Sequence, residues 1–464
     1  MRIAVVGAGP AGVRAVEVLA AAGHRPIWID EAPEGGGRVY QRPPAPLRRD
    51  ARALYGFEAK RATALHAAFD ALKARADWRP ETLAWHIRPG AKRLHTLHRG
   101  AQDVVEYDAA LLCTGAMDRV VPVPGWTLPG VTTLGGAQIA LKAQGCGIGR
   151  RVVFLGSGPL LWLVAYQYAK AEAEVAAVLD TTPFATKAAA APGLLRGGAT
   201  FAKGLYYIGW LRARRVRVAE GVTPLAIEGG AEGVTGLRWR DAGGREHAVA
   251  CDAVGLGWGL RPEAQLADLA GIPFRFDALQ HNWVPVRDAA GRTPVAGHYL
   301  AGDGAGIGGA EVAELAGARA ALALLQDAGQ AVEAATVARL DAALARQQRF
   351  RAALDRAFPF PAHLAAGLPD DAILCRCEGL RAGDLRAAAR AGNAAGPAPE
   401  MNRAKAFSRT GMGRCQGRVC GAAAAEILAA ELGQPVEAIG RLRGQPPVKP
   451  MPIAAPRPAS EPVP

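Results

Sequence analysis

The chain has 464 residues, half of them hydrophobic and 21% charged, with a formal net charge of +13. This composition excludes a disordered or fibrous chain and leaves room for two to three domains with cores of their own. The basic residues are scattered without a long run, so a solvated basic surface is expected, not a nucleic-acid site; docking to an acidic partner subunit is the second reading.

In chain order, Ile3 to Val6 is a short apolar strand and Gly7-Ala8-Gly9-Pro10-Ala11-Gly12 a turn. Val13 to Ala22 has helical apolar spacing closed by Gly23, and Pro26 to Ile29 reads as the next strand. No secretory signal is read before the first strand and no apolar run reaches the ~20 residues of a membrane span. The expectation is therefore no transmembrane segment and a cytoplasmic location. Gly7-x-Gly9-x-x-Gly12 after a strand and opening a helix suits a dinucleotide pyrophosphate. The first glycine makes the turn, the second admits the phosphates, the third lets helix and strand close up, and Pro10 and Ala11 begin the helix whose positive end faces the charge. Asp30, ending the second strand, is placed to accept the adenosine ribose hydroxyls, with Glu31 as the alternative.

Further along, Gly35-Gly36-Gly37-Arg38 resembles the second glycine pair of flavoproteins with two dinucleotide-binding domains, which passes the flavin end. Ala109 to Gly115 reads as a strand and tight turn, and Cys113-Thr114-Gly115 resembles the Ala-Thr-Gly turn of those flavoproteins. A second unit starts at Arg151: strand, Gly156-Ser157-Gly158-Pro159, a helix to about Lys170, and a strand from Val175 to Leu179. Leu161 stands where the third glycine belongs, and is expected to push the helix away or crowd a pyrophosphate, while Asp180 leaves a ribose acid available. Then His298 to Gly304 is a strand followed by Gly302-Asp303, resembling the late Gly-Asp motif of the same flavoproteins. These features, in this order, favour FAD at the first site. Residues Ala310 to about Arg356 have helical periodicity, a Pro- and Gly-rich loop follows from Pro359 to Pro369, and a Pro-rich tail from Gly444 is expected to be disordered.

Four of the seven cysteines cluster late as Cys375-x-Cys377 and Cys415-x-x-x-x-Cys420. Four thiolates from two short loops suit zinc or an iron–sulfur centre. Structural zinc prefers Cys-x-x-Cys knuckles, and glycines around Cys415 offer backbone N–H groups to cluster sulfurs, so iron–sulfur is favoured. No cysteine lies between Arg38 and Pro44, which argues against a thiol–disulfide reductase.

Together these segments resemble one family. Gly36-Gly37-Arg38-Val39-Tyr40 is similar to its Gly-Gly-Gln-Ile-Tyr segment, with Arg38 in place of Gln. Gly156 to Ala165 resembles its irregular second loop, and the segments Cys375 to Glu378 and Gly411 to Arg418 resemble its C-terminal domain, similar to bacterioferritin-associated ferredoxin. The family contains the large flavoprotein subunits of opine oxidases, of D-hydroxyproline and related amino-acid dehydrogenases, and of hydrogen cyanide synthase. The resemblance implies an α/β flavoprotein fold with two dinucleotide-binding domains plus a small helical [2Fe-2S] domain. Its expected parts are an FAD domain (1–120 and 275–330), an inserted NAD(P)-like domain (121–274), a helical linker (331–365), the cluster domain (366–443) and the tail (444–464). It implies a subunit of an FAD-dependent oxidoreductase that works on a C–N bond, with the substrate oxidised in a partner similar to D-amino-acid oxidases. A small iron–sulfur subunit, an FMN between subunits, ATP or another adenine nucleotide in the second slot, a downstream electron acceptor and peripheral placement at the inner membrane through the complex are further implications.

The expected site residues are thus Gly7, Gly9, Pro10, Ala11, Gly12, Asp30, Glu31, Gly37, Arg38, Val39, Thr114, Gly115, Gly302 and Asp303 for FAD; Gly156, Gly158 and Pro159 for the second nucleotide; and Cys375, Cys377, Cys415 and Cys420 for the cluster. No acid–base constellation for a substrate is found. His281 and His298 lie near flavin-side loops but read as surface or core histidines, so no catalytic residue is assigned. Two other readings remain: a self-sufficient NAD(P)H-dependent reductase, and a non-catalytic nucleotide scaffold.

Overall fold

Two short apolar runs seed two parallel sheets. Ile3–Val6 is buried at every position and Arg151–Ser157 at every position but the first, as strands covered on both faces must be. The computed structural model describes residues 1–44, 46–47, 49–394 and 400–452. The first sheet runs in the order His298–Leu300, Ala109–Leu112, Ile3–Val6, Ile27–Ile29, Asp77–Arg79, with Ala4 opposite both Ile27 and Ala110. The helices Pro10–Ala21 and Ala310–Asp327 pack together over it. They meet so closely that a Cβ on Gly317 would lie 2.0 Å from the Ala11 carbonyl oxygen. The second sheet, of the inserted domain, runs Arg217–Glu220, Glu174–Asp180, Arg151–Ser157, Ala253–Trp258, Val131–Thr133. Each sheet is accompanied by a three-stranded antiparallel meander, Thr82–Arg88 to Ala101–Glu106 in the first case and Thr223–Gly230 to Glu246–Ala250 in the second. The chain leaves the first unit along Ala116–Asp118 and returns along Leu260–Pro262, and these two strands pair antiparallel.

The helical stretch after Gly309 divides into Ala310–Asp327 and Ala334–Ala357, with Gly329 in a left-handed conformation (φ 75°) stopping the first. The second helix does more than link. Its Ala353 and Ala357 share a small core with Leu194 of the inserted domain. The cysteine-bearing region combines a hairpin, Ile373–Cys375 with Leu380–Arg381, and the helices Ala382–Ala394, Met401–Ser408, Gly421–Leu432 and Val436–Ile439. Its core runs on into the inserted domain without a break, with Val123 and Trp126 in the same cluster as Leu374 and Ile427. Trp126 Nε1 donates to the Ile373 carbonyl at 2.6 Å.

The expectation of a disordered tail fails for residues 444–452. Val448 is buried, its N–H donates to the Trp85 carbonyl at 3.1 Å, and Lys449 pairs with Glu31. An apolar side chain and a backbone donor both find partners, which outweighs the proline-rich composition. The remainder of the expected tail, 453–464, lies outside the described residues. No helix among the described residues is long and apolar enough to cross a membrane.

Candidate functional site

The first glycine loop sits at the carboxyl ends of adjacent parallel strands, the position where open α/β sheets bind ligands. Gly12 has no room for a side chain: a Cβ there would meet the Gly7 carbonyl oxygen at 1.8 Å, and one on Gly7 (φ 110°) the Cys113 oxygen at 2.2 Å. Pro10 opens the helix, Ala11 packs in the core, and no acidic side chain occupies the first turn to oppose an anion. Gly37 closes over Gly9, where a Cβ would lie 2.9 Å from the Gly9 Cα. Thr114 and Gly115 follow the next strand. The Thr114 hydroxyl donates to the Glu263 carbonyl, and a Cβ on Gly304 would come within 2.5 Å of Thr114 Oγ1. Gly302 and Asp303 end the strand beyond, and Asp303 Oδ1 accepts from the N–H groups of Gly308 and Gly309, both at 2.9 Å, fixing the start of the helix Ala310–Asp327. The fold therefore brings Gly7–Gly12, Gly37, Thr114–Gly115 and Gly302–Asp303 to one mouth.

Asp30 also turns toward this loop. Its carboxylate accepts from Ala8 N–H and from Ala32 N–H at 2.7 Å, and burial pushes it above the usual carboxylate range against those bonds and the charge of Arg38. Each oxygen keeps a lone pair for a ribose hydroxyl. Glu31 is exposed and held by Lys449 Nζ at 2.5 Å, so it is not the free alternative the sequence suggested. Arg38 and Val39 are exposed on the rim.

Several groups supporting this segment carry little sequence signal. Lys142 is buried in a π-helical turn, Ala140–Gln144, and donates to the Val39 carbonyl at 3.2 Å; burial pushes its amine down to about 8. Tyr40 is held through its carbonyl by His66 at 2.7 Å and through its hydroxyl by Glu58 at 3.2 Å, and Glu58 in turn pairs with Lys203 at 2.5 Å. Only a lone lysine in an apolar run, Ile139-Ala140-Leu141-Lys142, hints at the first of these. Cys113, beside the Thr114 turn, is sealed in the core, and burial pushes its thiol up to about 12, out of reach of thiolate chemistry at neutral pH.

The second glycine loop has the same strand and the same proline at the helix start, but a different surround. Leu161 points inward and joins Val152, Phe154 and Val178 in the core, so it does not crowd the loop. A Cβ on Gly158 would meet nothing within 4 Å, while one on Gly156 would strike the Gly257 oxygen at 1.8 Å. The loop opens on a cavity of about 40 Å³ lined by Arg119, Trp258, Arg351, Asp355 and Phe360, with the helix Ala334–Ala357 along it. Asp180 overturns the expectation of an available ribose acid. It is fully buried, its Oδ2 pairs with Lys187 Nζ at 2.7 Å, and its Oδ1 accepts from Thr182 N–H at 2.8 Å. Lys187 also pairs with Glu220 at 2.7 Å.

The four late cysteines come together. The Cys420 thiol is in hydrogen-bonding contact with those of Cys375 and Cys415, and Cys415 with Cys377. Backbone N–H groups of Cys377, Glu378 and Gly411 face Cys375, and those of Gly417 and Val419 face Cys415. Thiol and N–H donors hold these two below the usual thiol value, at about 6 and about 5. Cys375 and Cys420 are buried and Cys377 is exposed. Glycines make the cradle: a Cβ on Gly413 would lie 2.4 Å from the Cys377 Cβ, and one on Gly417 2.2 Å from Leu442 Cδ1. Among the described residues, no three or more Cys, His, Asp or Glu side chains converge on one metal position as placed. The donor chemistry nonetheless fits a cluster: soft sulfur ligands and converging N–H groups, with the nearby Glu378 carboxylate held by Arg409 at 2.8 Å. His281 Nε2 meets Glu426 at 2.6 Å and His298 meets the Tyr107 hydroxyl at 2.8 Å, so both histidines have structural partners.

Comparison with known proteins agrees with this architecture. Residues 1–331 match the family described as pyridine nucleotide-disulphide oxidoreductase, and residues 377–457 match the sarcosine oxidase A3 domain. The chain is 35% identical to the A component of opine oxidase from Rhizobium meliloti over 97% of its own length and 86% of that protein's. It is 31% identical to the HcnB component of hydrogen cyanide synthase from Pseudomonas aeruginosa over 98% of each. Among solved structures, the L-proline dehydrogenase from P. horikoshii shares the fold with a TM-score of 0.70 at 18% identity, over 98% of this chain and 78% of that one. The chain is a flavin-dependent oxidoreductase of the pyridine nucleotide-disulphide oxidoreductase family, and it belongs with the A component of opine oxidase and with HcnB.

Proposed function

We propose that this chain is the electron-transfer subunit of a heteromeric dehydrogenase acting on a C–N bond of an amino-acid, D-hydroxyproline or opine substrate, which is oxidised in a partner subunit. FAD occupies the first glycine site and a [2Fe-2S] centre the four cysteines. A flavin takes up two electrons and releases them singly while a [2Fe-2S] centre carries one, so the pair turns hydride chemistry into single-electron flow. The protein's part is to hold both. Gly7, Gly9, Gly12 and Gly37 give the pyrophosphate its close approach, Asp30 receives the ribose, and Asp303 keeps one oxygen for the ribityl chain. Gly37, Arg38 and Val39, backed by Lys142 and Tyr40, border the flavin end.

The observation that carries this reading is the seam between the two sites. Arg418, between Cys415 and Cys420, forks onto the Glu263 carboxylate at 2.6 and 3.0 Å, and the Glu263 N–H donates to the Gly115 carbonyl at 2.9 Å. The sealed Asp180 argues against a nicotinamide dinucleotide as electron source. Gly156, Gly158 and Pro159, with Arg119 and Arg351 facing the same cavity, suit ATP or another adenine nucleotide held as a structural ligand.

The relatives are named as subunits, which supports a partner, and one face is suited to it. Between Thr181 and Val216 there are five basic residues besides the sealed Lys187 and no acidic one, and Phe184, Leu195, Leu205 and Tyr206 are exposed. A helix that is apolar outward as well as inward wants a partner. We assign this face to the substrate-oxidising, D-amino-acid-oxidase-like subunit. The FMN between subunits, a small iron–sulfur subunit, a downstream acceptor and a place at the inner-membrane surface belong to the same proposal.

The test is to purify the chain alone and together with its partner. The pair oxidises substrate with an artificial acceptor and the lone chain does not. Full-rate oxidation of an opine or imino acid by the lone chain overturns the proposal. So does bleaching of its flavin within seconds of adding NADH or NADPH without oxygen, which is the signature of a self-sufficient reductase.

A further inference from the structure

The strand Leu260–Pro262 touches both halves of the proposed electron route. It pairs antiparallel with Ala116–Asp118, which leaves the Thr114-Gly115 turn directly. The residue after it, Glu263, is bonded to that turn by both its N–H and its carbonyl, and its carboxylate receives the Arg418 fork. Two residues on, Gln265 Nε2 donates to the Gln416 carbonyl at 3.1 Å. The cysteine loop is thus fastened to the flavin-side strand at successive points.

Arg261 lies inside this seam. Its Nη1 donates to the Arg418 carbonyl at 3.2 Å, and a Cβ on Gly421, next to Cys420, would sit 3.7 Å from the same nitrogen. Glu263, the carboxylate that acts on it most strongly, is already taken by the Arg418 fork. On the cysteine side the backbone it meets, at Arg418 and Gly421, flanks Cys420. The rest of its accessible surface faces a cleft with a cavity of about 90 Å³ between the two domains. A guanidinium stays charged at any ordinary pH, so this is a fixed positive charge in a partly dehydrated place.

We propose that Arg261 sets the reduction potential of the centre held by the four cysteines. When that centre accepts one electron it gains one negative charge, with no bond made or broken and no proton taken up. A positive charge against the backbone that carries Cys420 stabilises that state relative to the oxidised one. Arg261 acts electrostatically and is neither a ligand nor a catalytic residue. Because it belongs to the strand on the flavin turn, the charge that draws the electron onto the cluster is supplied from the donor's side of the seam.

This inference rests on the [2Fe-2S] reading above, and the experiment separates the two. The full chain and its R261Q, R261K and E263Q variants are prepared without oxygen and assayed for iron and sulfide. Each is titrated potentiometrically, with the paramagnetic signal of the reduced centre as the readout. R261Q should bind iron normally and make reduction about tenfold less favourable, a 59 mV fall for a one-electron couple. R261K, which keeps the charge, should stay within about threefold of the parent. E263Q, which removes a negative charge from the same seam, should shift the potential the opposite way. The inference is overturned if R261Q retains its iron and titrates with the parent, if R261K shifts as far as R261Q, or if R261Q and E263Q move together, which is the mark of a merely structural seam. A parent protein carrying zinc or no sulfide overturns the cluster reading itself, and the inference with it.

Discussion

The two glycine loops are nearly the same object in two settings. Each follows a buried strand, turns on glycine and enters a helix at a proline. Around the first, the strand-end acid hooks back onto the loop's Ala8 N–H, the third glycine allows close packing, and Thr114 and Asp303 arrive from neighbouring strands. Around the second, the acid is sealed by Lys187, the third glycine is replaced by an inward leucine, and a long helix lies along the mouth. Packing alone is enough to keep a strand–turn–helix unit. A dinucleotide site that reads its ribose needs the acid and the mouth as well, and the two loops have parted on those.

That contrast can be broken by substitution. The largest effect belongs to Gly12→Ala. Its Cβ meets backbone, which cannot yield cheaply, so about 3 kcal/mol of strain is expected at the pyrophosphate loop and FAD affinity should fall about 100-fold. Flavin per chain after purification and a fluorescence titration check this, and unchanged affinity would mean that the first loop is not the FAD site. Next comes Lys187→Met, which leaves Asp180 buried without its cation. Unfolding by urea should show a loss of about 3 kcal/mol with flavin content unchanged. A gain of tight adenosine binding instead would show that Lys187 only masks a working nucleotide site.

Lys142 gives a pH-dependent prediction. Burial lowers its amine from 10.5 to about 8, so the folded state prefers the neutral form. Between those two values the unfolded chain binds more protons, and stability therefore rises with pH across that window. The contribution is roughly 3–4 kcal/mol in all. Urea unfolding at pH 7.5 and pH 10 should show this rise in the parent relative to Lys142→Met; equal slopes would mean the amine is not desolvated. The smallest effect is Gly158→Ala. Space is free, and only its positive φ (96°) resists, so about 1 kcal/mol of stability is lost and FAD binding is untouched. A large flavin loss from Gly158→Ala would erase the difference between the loops.

Much of the first site was legible because its signals are local. Gly7, Gly9, Gly12 and Asp30 sit at fixed offsets from one strand, and Thr114 and Asp303 end strands with turn residues of their own. The four cysteines were legible as a set from their chemistry alone. What was not legible depends on distant partners. The pairing of Glu31 with Lys449 joins residues at opposite ends of the chain, and Asp180 looks free until Lys187 folds over it from the following helix. Leu161 was read as an obstruction because the sequence does not say which face of the helix it takes. The tail composition reads as disorder because Val448 has no visible pocket until the meander with Trp85 is built.

The short return of residues 444–452 has a mechanical consequence. The chain begins in the first sheet, passes through the inserted domain and the cysteine domain, and is then pinned back beside its starting point by Val448 and Lys449. With the paired crossing strands and the shared core around Trp126, this makes a triangle braced at three corners, and a braced triangle cannot swing open as a pair of hinged plates does. Cutting the strap should loosen that corner only, so a protease that removes it would let the first domain shear against the cysteine domain while the other two joints hold.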